Sequence, residues 1–177
     1  MNTFKADIEQ IRRSAMEKIG DGAVTASYMA DKDKVIEILN DVLATETVCT
    51  LRYRNHYFMA TGIHSSGVEA EFLAHANEEQ AHADRVAKRI TELGGTPNLN
   101  PEGLATRSHA QYGTAATLTE MIKEDLIAER IAVATYSEII RWLGNDDPTT
   151  RRMMEDLLAT EEEHADDMAK LLTRVSK

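Results

Sequence analysis

The sequence predicts an all-α protein: a four-helix bundle with one long crossover and an additional short N-terminal helix. The 177 residues contain only 3 Pro and 9 Gly, which favours long uninterrupted helices. Apolar residues recur at helical spacing over several long segments. Two motifs of the form Glu-x-x-His, Glu79 to His82 and Glu161 to His164, have matching flanks. This repetition indicates two copies of one helical hairpin.

A single domain accounts for residues 1–177, because 42% hydrophobic and 28% charged residues are typical of one globular unit of this length. We divide this domain into four consecutive segments. They are an N-terminal helical extension (1–30), a first helical hairpin (31–95), a crossover (96–115) and a second helical hairpin (116–175).

The N-terminal extension is expected to form one amphipathic helix from about residue 3 to residue 19, ended by Gly20. Its charges are of both signs, which favours docking on its own bundle or on a neighbouring subunit over binding to a membrane or a nucleic acid. The apolar positions with helical spacing are Phe4, Ile8, Ile11, Ala15 and Ile19.

The first hairpin is predicted to contain a helix from Asp33 to Ala60, stopped by Gly62, and a second helix that ends at Leu93. Ser66 and Glu69 match a capping box at the start of the second helix. The inner stripe of the first helix comprises Val35, Ile36, Leu39, Val42, Leu43 and either Thr50 or Leu51.

The crossover is interrupted by proline and glycine, and we expect one short helical stretch in it near Glu102 to Arg107. A connection of this length can link helix ends on opposite sides of a bundle. Thr117 is expected to cap the third long helix. Asp147 before Pro148 marks the start of the fourth, which runs to about Arg174.

Composition restricts the functional classes. The net charge of −10 argues against nucleic-acid binding, which depends on basic surface, and suits the attraction of cations, although acidity also serves solubility alone. The one cysteine, Cys49, excludes an internal disulfide and fits a reducing compartment. No apolar signal segment or membrane-spanning run is evident, so we expect a cytoplasmic protein without membrane contact.

The two hairpins carry matching residues upstream of their Glu-x-x-His motifs. Glu46 precedes Glu79 by 33 residues, and Glu129 precedes Glu161 by 32 residues. A tyrosine follows each upstream glutamate two helical turns later, so that each pair shares a helix face. These tyrosines are Tyr53 and Tyr136. Four helices can therefore direct four carboxylates and two imidazoles into the bundle.

Such a set of buried groups is difficult to explain without metal ions. Burying four carboxylates costs several kcal/mol each and forces them to bind protons or cations. Two divalent cations would cancel the four negative charges. Oxygen and nitrogen ligands together suit iron, manganese or zinc better than calcium or magnesium, and the lack of cysteine ligands argues against a structural zinc site.

The residues from 34 to 174 resemble the bacterioferritins of the ferritin-like superfamily. The resemblance includes Lys34-Val35-Ile36, the run from Glu79 to Arg85, Asp125-Leu126, and the second motif. It implies two iron ions per subunit. It also implies that Glu46 and His82 bind one iron, that Glu129 and His164 bind the other, and that Glu79 and Glu161 bridge them. Tyr53 lies where that family has a tyrosine beside the centre, which would make it an electron donor during catalysis.

Several departures from the bacterioferritin pattern change the expectation. Gln80 stands where bacterioferritins have the methionine that ligates haem, so we expect no haem. The chain ends soon after the fourth helix and adds an N-terminal helix and a longer crossover. These features are similar to the Dps-like subclass with a bacterioferritin-type centre, and favour a homo-oligomeric shell of twelve subunits over one of twenty-four. Cys49 alone cannot form the cysteine pair of some members.

The resemblance implies an iron-storage and detoxification protein. It would oxidise Fe²⁺ with peroxide or dioxygen at the di-iron centre and keep ferric mineral in a hollow oligomer, which protects against oxidative stress. The alternatives are a non-storage di-metal enzyme (a rubrerythrin-like peroxidase, a manganese catalase or an oxygenase), a nucleoid-compacting protein, or a purely structural bundle.

Three further side chains allow more than one interpretation. His75 lies one turn before Glu79, and a hydrogen-bonded or core histidine is favoured over a third nitrogen ligand. Cys49 is expected to be a small core residue, and Trp142 an interface or core anchor.

Overall fold

The computed structural model describes residues 5–17, 19–61 and 65–175. Within these ranges the chain forms only helices, which confirms the all-α fold with its additional N-terminal helix. The helices are α1 (Ile8–Ala15), α2 (Lys32–Met59), α3 (Ser65–Glu92), α4 (Leu104–Arg107), α5 (Leu118–Leu143) and α6 (Pro148–Val175), and a short 3₁₀ turn covers Ile19–Asp21. None of the described helices is long and apolar enough to cross a membrane.

The four long helices form the bundle. Helix α2 packs along α3, and α5 packs along α6, so that each pair makes one hairpin. The hairpins meet through contacts of α2 with α5 and of α3 with α6. Helix α4 lies in the crossover between the hairpins and rests on α2. This is the predicted bundle with a single long connection.

Polar side chains cap the N-termini of α5 and α6 at the positions predicted from the sequence. The Thr117 hydroxyl accepts a hydrogen bond from the Glu120 amide at 3.3 Å, and the Asp147 carboxylate accepts one from the Thr150 amide at 2.9 Å. Each satisfies a backbone donor that the first helical turn leaves unpaired. Gly144 ends α5 with a φ of 51°, a conformation that glycine adopts without strain. The predicted starts of α5 and α6 are therefore confirmed.

Two local predictions are wrong, the structure decides one alternative, and two predicted positions lie outside the described residues. Helix α1 is shorter than expected because Asp7 caps it at Ile8. It buries none of its side chains in this chain, so of the two predicted docking modes only contact with a neighbouring subunit stays a prediction. Ser66 lies inside α3, which already begins at Ser65, and therefore cannot cap it. Leu51 is exposed, whereas Thr50 is buried. Phe4 and Gly62 lie outside the described part of the chain.

Two apolar clusters fill the bundle and leave a polar layer between them. One cluster joins the start of α2 to the ends of α3 and α5, with Leu39, Ile90 and Leu143 at its centre. The other joins the end of α2 to the starts of α3 and α5, with Phe72 and Met121. Water is therefore excluded from both sides of the intervening layer, and polar groups in that layer interact mainly with one another.

Candidate metal centre

Each long helix places one glutamate in the polar layer between the two apolar clusters. Glu46 on α2, Glu79 on α3, Glu129 on α5 and Glu161 on α6 are no more than 1% exposed. Each motif adds its imidazole on the same face of its helix, because three residues make most of one helical turn. These imidazoles belong to His82 and His164, which are both buried. The structure thus brings together all six side chains that the sequence predicts as ligands.

The six side chains form two overlapping groups. Within each group, one potential ligand atom per residue lies within 4.8 Å of the others. Glu79 and Glu161 belong to both groups. The first group adds Glu46 and His82, and the second adds Glu129 and His164. Two cations placed in these groups would share two carboxylates, which is the arrangement of a bridged pair.

Both imidazoles direct the same nitrogen towards the shared carboxylates. His82 Nδ1 lies 3.0 Å from Glu161 Oε1 and 3.9 Å from Glu79 Oε2. His164 Nδ1 lies 3.3 Å from Glu79 Oε1 and 3.8 Å from Glu161 Oε2. The two halves are therefore nearly symmetric about the Glu79 and Glu161 pair. The outer nitrogen of His164 contacts the half-exposed Glu78 at 2.6 Å, which orients the ring.

The buried carboxylates and imidazoles would be better satisfied by bound cations than they are by one another. Five buried side-chain atoms in the described part of the chain lack a hydrogen-bond partner, and four of them belong to this layer. They are Glu79 Oε1, Glu129 Oε2, Glu161 Oε1 and His164 Nδ1. An unpaired buried polar atom costs about 1–3 kcal/mol, and more when it is charged. Mixed oxygen and imidazole ligands suit iron, manganese or zinc, and a bound metal pair would satisfy all four atoms at once.

The pKa values of these groups show the cost of holding the carboxylates together. Burial and the charge of Glu46 raise the pKa of Glu79 to about 8, and burial and the charge of Glu79 raise the pKa of Glu129 to about 7. Burial lowers the pKa of His164, but the surrounding carboxylates, Glu79 above all, outweigh this effect and raise it to about 9. Protons therefore occupy the layer when metal ions do not.

Each tyrosine of the repeat donates a hydrogen bond to a glutamate of the other hairpin. The Tyr53 hydroxyl donates to Glu129 Oε1 at 2.5 Å, and the Tyr136 hydroxyl donates a short hydrogen bond to Glu46 Oε1. The sequence spacing predicts that each tyrosine shares a face with the glutamate of its own helix. It does not predict these hydrogen bonds between the hairpins. Tyr53 also contacts His75, whose Nδ1 lies 3.2 Å from the phenol oxygen.

His75 and Cys49 are both buried, as expected for residues of the core. His75 stacks on His164 with ring centroids 3.9 Å apart and belongs to neither of the two ligand groups. Cys49 packs among apolar side chains and lies 3.5 Å from Arg52 Nη2. Trp142 is half exposed and is therefore not a core anchor in this chain.

A buried ion-pair network that was not predicted from the sequence lies next to the centre. Arg52 Nε donates to Asp125 Oδ1 at 2.7 Å, and His56 Nδ1 lies 2.9 Å from Asp125 Oδ2. Arg52 and His56 are one helical turn apart, so their common face was readable from the sequence. Their shared partner on α5 was not, because Asp125 is 69 residues or more away along the chain.

A four-helix bundle that holds a buried carboxylate and histidine centre of this kind defines the ferritin-like class. The ferritin-like domain family matches residues 36–177. The chain belongs to this family.

Relatives of known name support the assignment. A bacterioferritin of Brucella melitensis is 32% identical over 152 residues, which cover 84% of this chain and 89% of the relative. A DNA protection during starvation protein of Pyrococcus furiosus is 33% identical over 150 residues, covering 81% and 79% of the two chains. Among solved structures, a dodecameric thioferritin, the bacterioferritin-related protein from Bacteroides fragilis, matches with a TM-score of 0.80 and 31% identity over 84% of this chain and 89% of that one.

Proposed function

We propose that this protein is a ferroxidase that oxidises Fe²⁺ and stores the ferric product inside a hollow homo-oligomer. The observation that supports this function most directly is the pair of overlapping ligand groups with Glu79 and Glu161 in common. Two Fe²⁺ ions are then substrates bound side by side. Glu46 and His82 would hold one ion, and Glu129 and His164 would hold the other.

The chemistry requires two electrons and a site without bulk water. Each Fe²⁺ gives up one electron, and one peroxide molecule takes up both electrons and two protons to form two water molecules. With dioxygen as the oxidant, the same two electrons and two protons produce peroxide. The protein contributes a dry layer and fixed ligand positions, and carboxyl groups whose raised pKa lets them exchange protons as the ions bind.

The central test removes the two shared carboxylates. In Glu79→Ala with Glu161→Ala, we expect Fe²⁺ oxidation by peroxide to slow by about 100-fold or more, because changes outside the ligand set alone cost 10- to 100-fold in related sites. Ferric absorbance after rapid mixing measures the rate. Glu162→Gln is the matched control, since this exposed neighbour of Glu161 faces away from the layer. An unchanged rate in the double variant would refute the proposed centre.

Tyr53 is proposed as the electron donor of the site. Its hydroxyl is buried and bound to Glu129, one of the proposed ligands. We expect Tyr53→Phe to slow oxidation by about 10-fold while metal binding remains, because the ring packing is preserved. Tyr136→Phe is the control, since it removes the equivalent hydrogen bond to Glu46. Equal effects of the two substitutions would show that Tyr53 has no special role.

We further propose a shell of twelve subunits. The resemblance to the Dps-like subclass supports this number, as does the described dodecamer of the Bacteroides fragilis relative. Large apolar side chains that this chain leaves exposed, such as Leu51, Phe58 and Ile127, support subunit contacts. Twelve chains of 19.7 kDa give about 240 kDa and twenty-four give about 470 kDa, which light scattering distinguishes. A dimer would contradict storage.

We propose that no haem binds between subunits. Gln80 occupies the position of the haem-ligating methionine, and its amide hydrogen-bonds Asp84 at 3.0 Å on the helix surface. An amide is not a soft ligand comparable with a thioether. The protein purified after growth with a haem precursor should therefore lack a Soret band, and a stoichiometric band would contradict this expectation.

A further inference from the structure

We propose a third divalent-cation site beside the two-metal centre, formed by Glu71, His75 and Asp167. One potential ligand atom of each residue lies within 4.8 Å of the others. Glu71 and His75 are one turn apart on α3, and Asp167 faces them from α6. None of the three residues belongs to the two groups that make up the centre.

His75 provides the buried part of this site. Its side chain is only 4% exposed, and its Nε2 atom lies 3.7 Å from Glu71 Oε1, which is too long for a hydrogen bond. Nε2 makes no hydrogen bond to any other described residue, whereas Nδ1 is occupied by Tyr53. A nitrogen of a largely buried imidazole that faces a carboxylate without bonding it is well suited to coordinate a cation.

The carboxylates of Glu71 and Asp167 provide the negative charge of the site and its contact with solvent. Their side chains are 38% and 39% exposed, so that ions can reach them from solvent. Among the described residues, Glu71 makes no ion pair other than the long contact with His75. Asp167 Oδ1 accepts a hydrogen bond from Lys170 at 3.2 Å, but Lys170 is half exposed and also binds Asp166 at 2.5 Å. Lys170 can therefore release Asp167 without losing its own partner.

This donor set predicts weaker binding than in the centre. One imidazole and two carboxylates suit Fe²⁺, Mn²⁺, Co²⁺ or Zn²⁺, and three protein ligands leave positions for water. Partial exposure lowers the cost of releasing the ion again. The site is therefore suited to hold a cation in transit and not to store it.

Two contacts connect the third site to the centre. The ring of His75 stacks on that of His164, and its Nδ1 contacts the Tyr53 hydroxyl, which donates to Glu129. A cation on Nε2 would leave the proton of His75 on Nδ1, where it is donated to the Tyr53 oxygen. The Tyr53 proton would then stay directed at Glu129. We infer that the third site holds the next Fe²⁺ before it enters the centre, a role that rests on the proposed ferroxidase function.

Metal binding can be tested separately from oxidation. We would titrate the purified oligomer with Co²⁺ under anaerobic conditions and measure bound metal per chain by equilibrium dialysis. The unaltered protein should bind three ions per chain, the third about 10-fold or more weakly than the other two. Glu71→Gln with Asp167→Asn should bind two, and Glu79→Ala with Glu161→Ala should retain the one weak ion.

The matched control is Glu69→Gln with Glu163→Gln, which leaves Asp166 in place as the partner of Lys170. It removes the same two charges from the same helices, outside the three-residue cluster, and should still bind three ions. Two ions per chain both in the unaltered protein and in Glu71→Gln with Asp167→Asn would overturn the third site. One weak ion in the unaltered protein, lost in that variant, would support the third site and refute the two-metal centre.

Kinetics then test the assigned role. Glu71→Gln with Asp167→Asn should oxidise the first two Fe²⁺ ions per chain at the unaltered rate, and oxidise further Fe²⁺ several-fold more slowly. The substituted side chains are partly exposed and keep their size, so folding should be retained, and circular dichroism checks this. Equal rates in every phase would refute a role in supply while leaving the binding result as it stands.

Discussion

Helices α3 and α6 hold two buried polar clusters that differ in how their charges are satisfied. Towards the end of α3, Arg89 donates to Thr150 Oγ1 at 2.8 Å and to Asp147 Oδ1 at 3.0 Å. Asp147 also accepts from Tyr28 at 2.9 Å and from the Thr150 amide. In the candidate metal centre, two turns away along α3, the acidic oxygens face one another, and several have no hydrogen-bond partner among the described residues.

The two clusters therefore have opposite effects on the folded chain. Burial raises the pKa of Asp147, but hydrogen bonds from Thr150 and Tyr28 and the charge of Arg89 outweigh it, so that the pKa lies below its usual value. In the centre, burial and the charge of Glu79 raise the pKa of Glu161 well above its usual value. The first cluster stabilises the fold, and the second destabilises it until cations bind.

Breaking the cluster of Arg89, Asp147 and Thr150 should have the largest effect on stability. Arg89→Met leaves a buried carboxylate without its charged partner, and we expect a loss of about 3–5 kcal/mol in the free energy of unfolding, or about 10 °C in Tm. Arg85→Met, one turn earlier, removes only an exposed ion pair with Asp156 and should cost less than about 1 kcal/mol. Equal losses in both variants, measured by thermal unfolding, would contradict the comparison.

Removing a charge from the centre should change stability in the opposite direction. In the presence of a chelator, we expect Glu161→Gln to raise the free energy of unfolding by about 1–3 kcal/mol, because the native carboxyl carries a cost whether it ionises or takes up a proton. The same variant should lose most of the stabilisation that added Fe²⁺ or Co²⁺ gives the unaltered protein.

Glu162→Gln is the control for this substitution, since the exposed neighbour should change neither quantity. A metal-free Glu161→Gln protein that unfolds at a lower temperature than the unaltered protein would show that the carboxyl stabilises the bundle by itself.

The two clusters should also differ in how they make the free energy of unfolding depend on pH. This effect should be smaller than those of the substitutions above. The pKa of Glu79 is about 8 in the folded chain and 4.5 in the unfolded one, so the metal-free protein should lose stability as the pH rises from about 5 to 8. We expect a loss on the order of 2 kcal/mol, followed as Tm in chelator, and a smaller loss in Glu79→Gln. Asp147, whose pKa is lowered, contributes no slope in this range.

A constant Tm between pH 5 and 8 would contradict the raised pKa values of the centre. Saturation with Co²⁺ should also abolish the slope, because bound metal ions keep the carboxylates ionised in the folded state.

The sequence was sufficient for the architecture, and it named the six side chains that the structure brings together in the candidate centre. Helix starts such as Thr117 and Asp147, and the repeat that relates Glu46 with Glu79 to Glu129 with Glu161, are local patterns or fixed spacings. Helical periodicity converts such spacings directly into shared faces. The same reasoning failed at Ser66, because a capping pattern can also occur inside a helix.

Only the tertiary structure decided which groups meet across helices. Each tyrosine hydrogen-bonds a glutamate of the other hairpin, as Tyr53 does with Glu129, and Asp167 lies opposite His75. The tertiary structure also left every side chain of α1 unburied by the described part of the chain. The physical reason is that periodicity specifies the direction of a side chain about its own helix axis, whereas contacts between helices depend on their relative rotation and height, which the packing of the two apolar clusters determines.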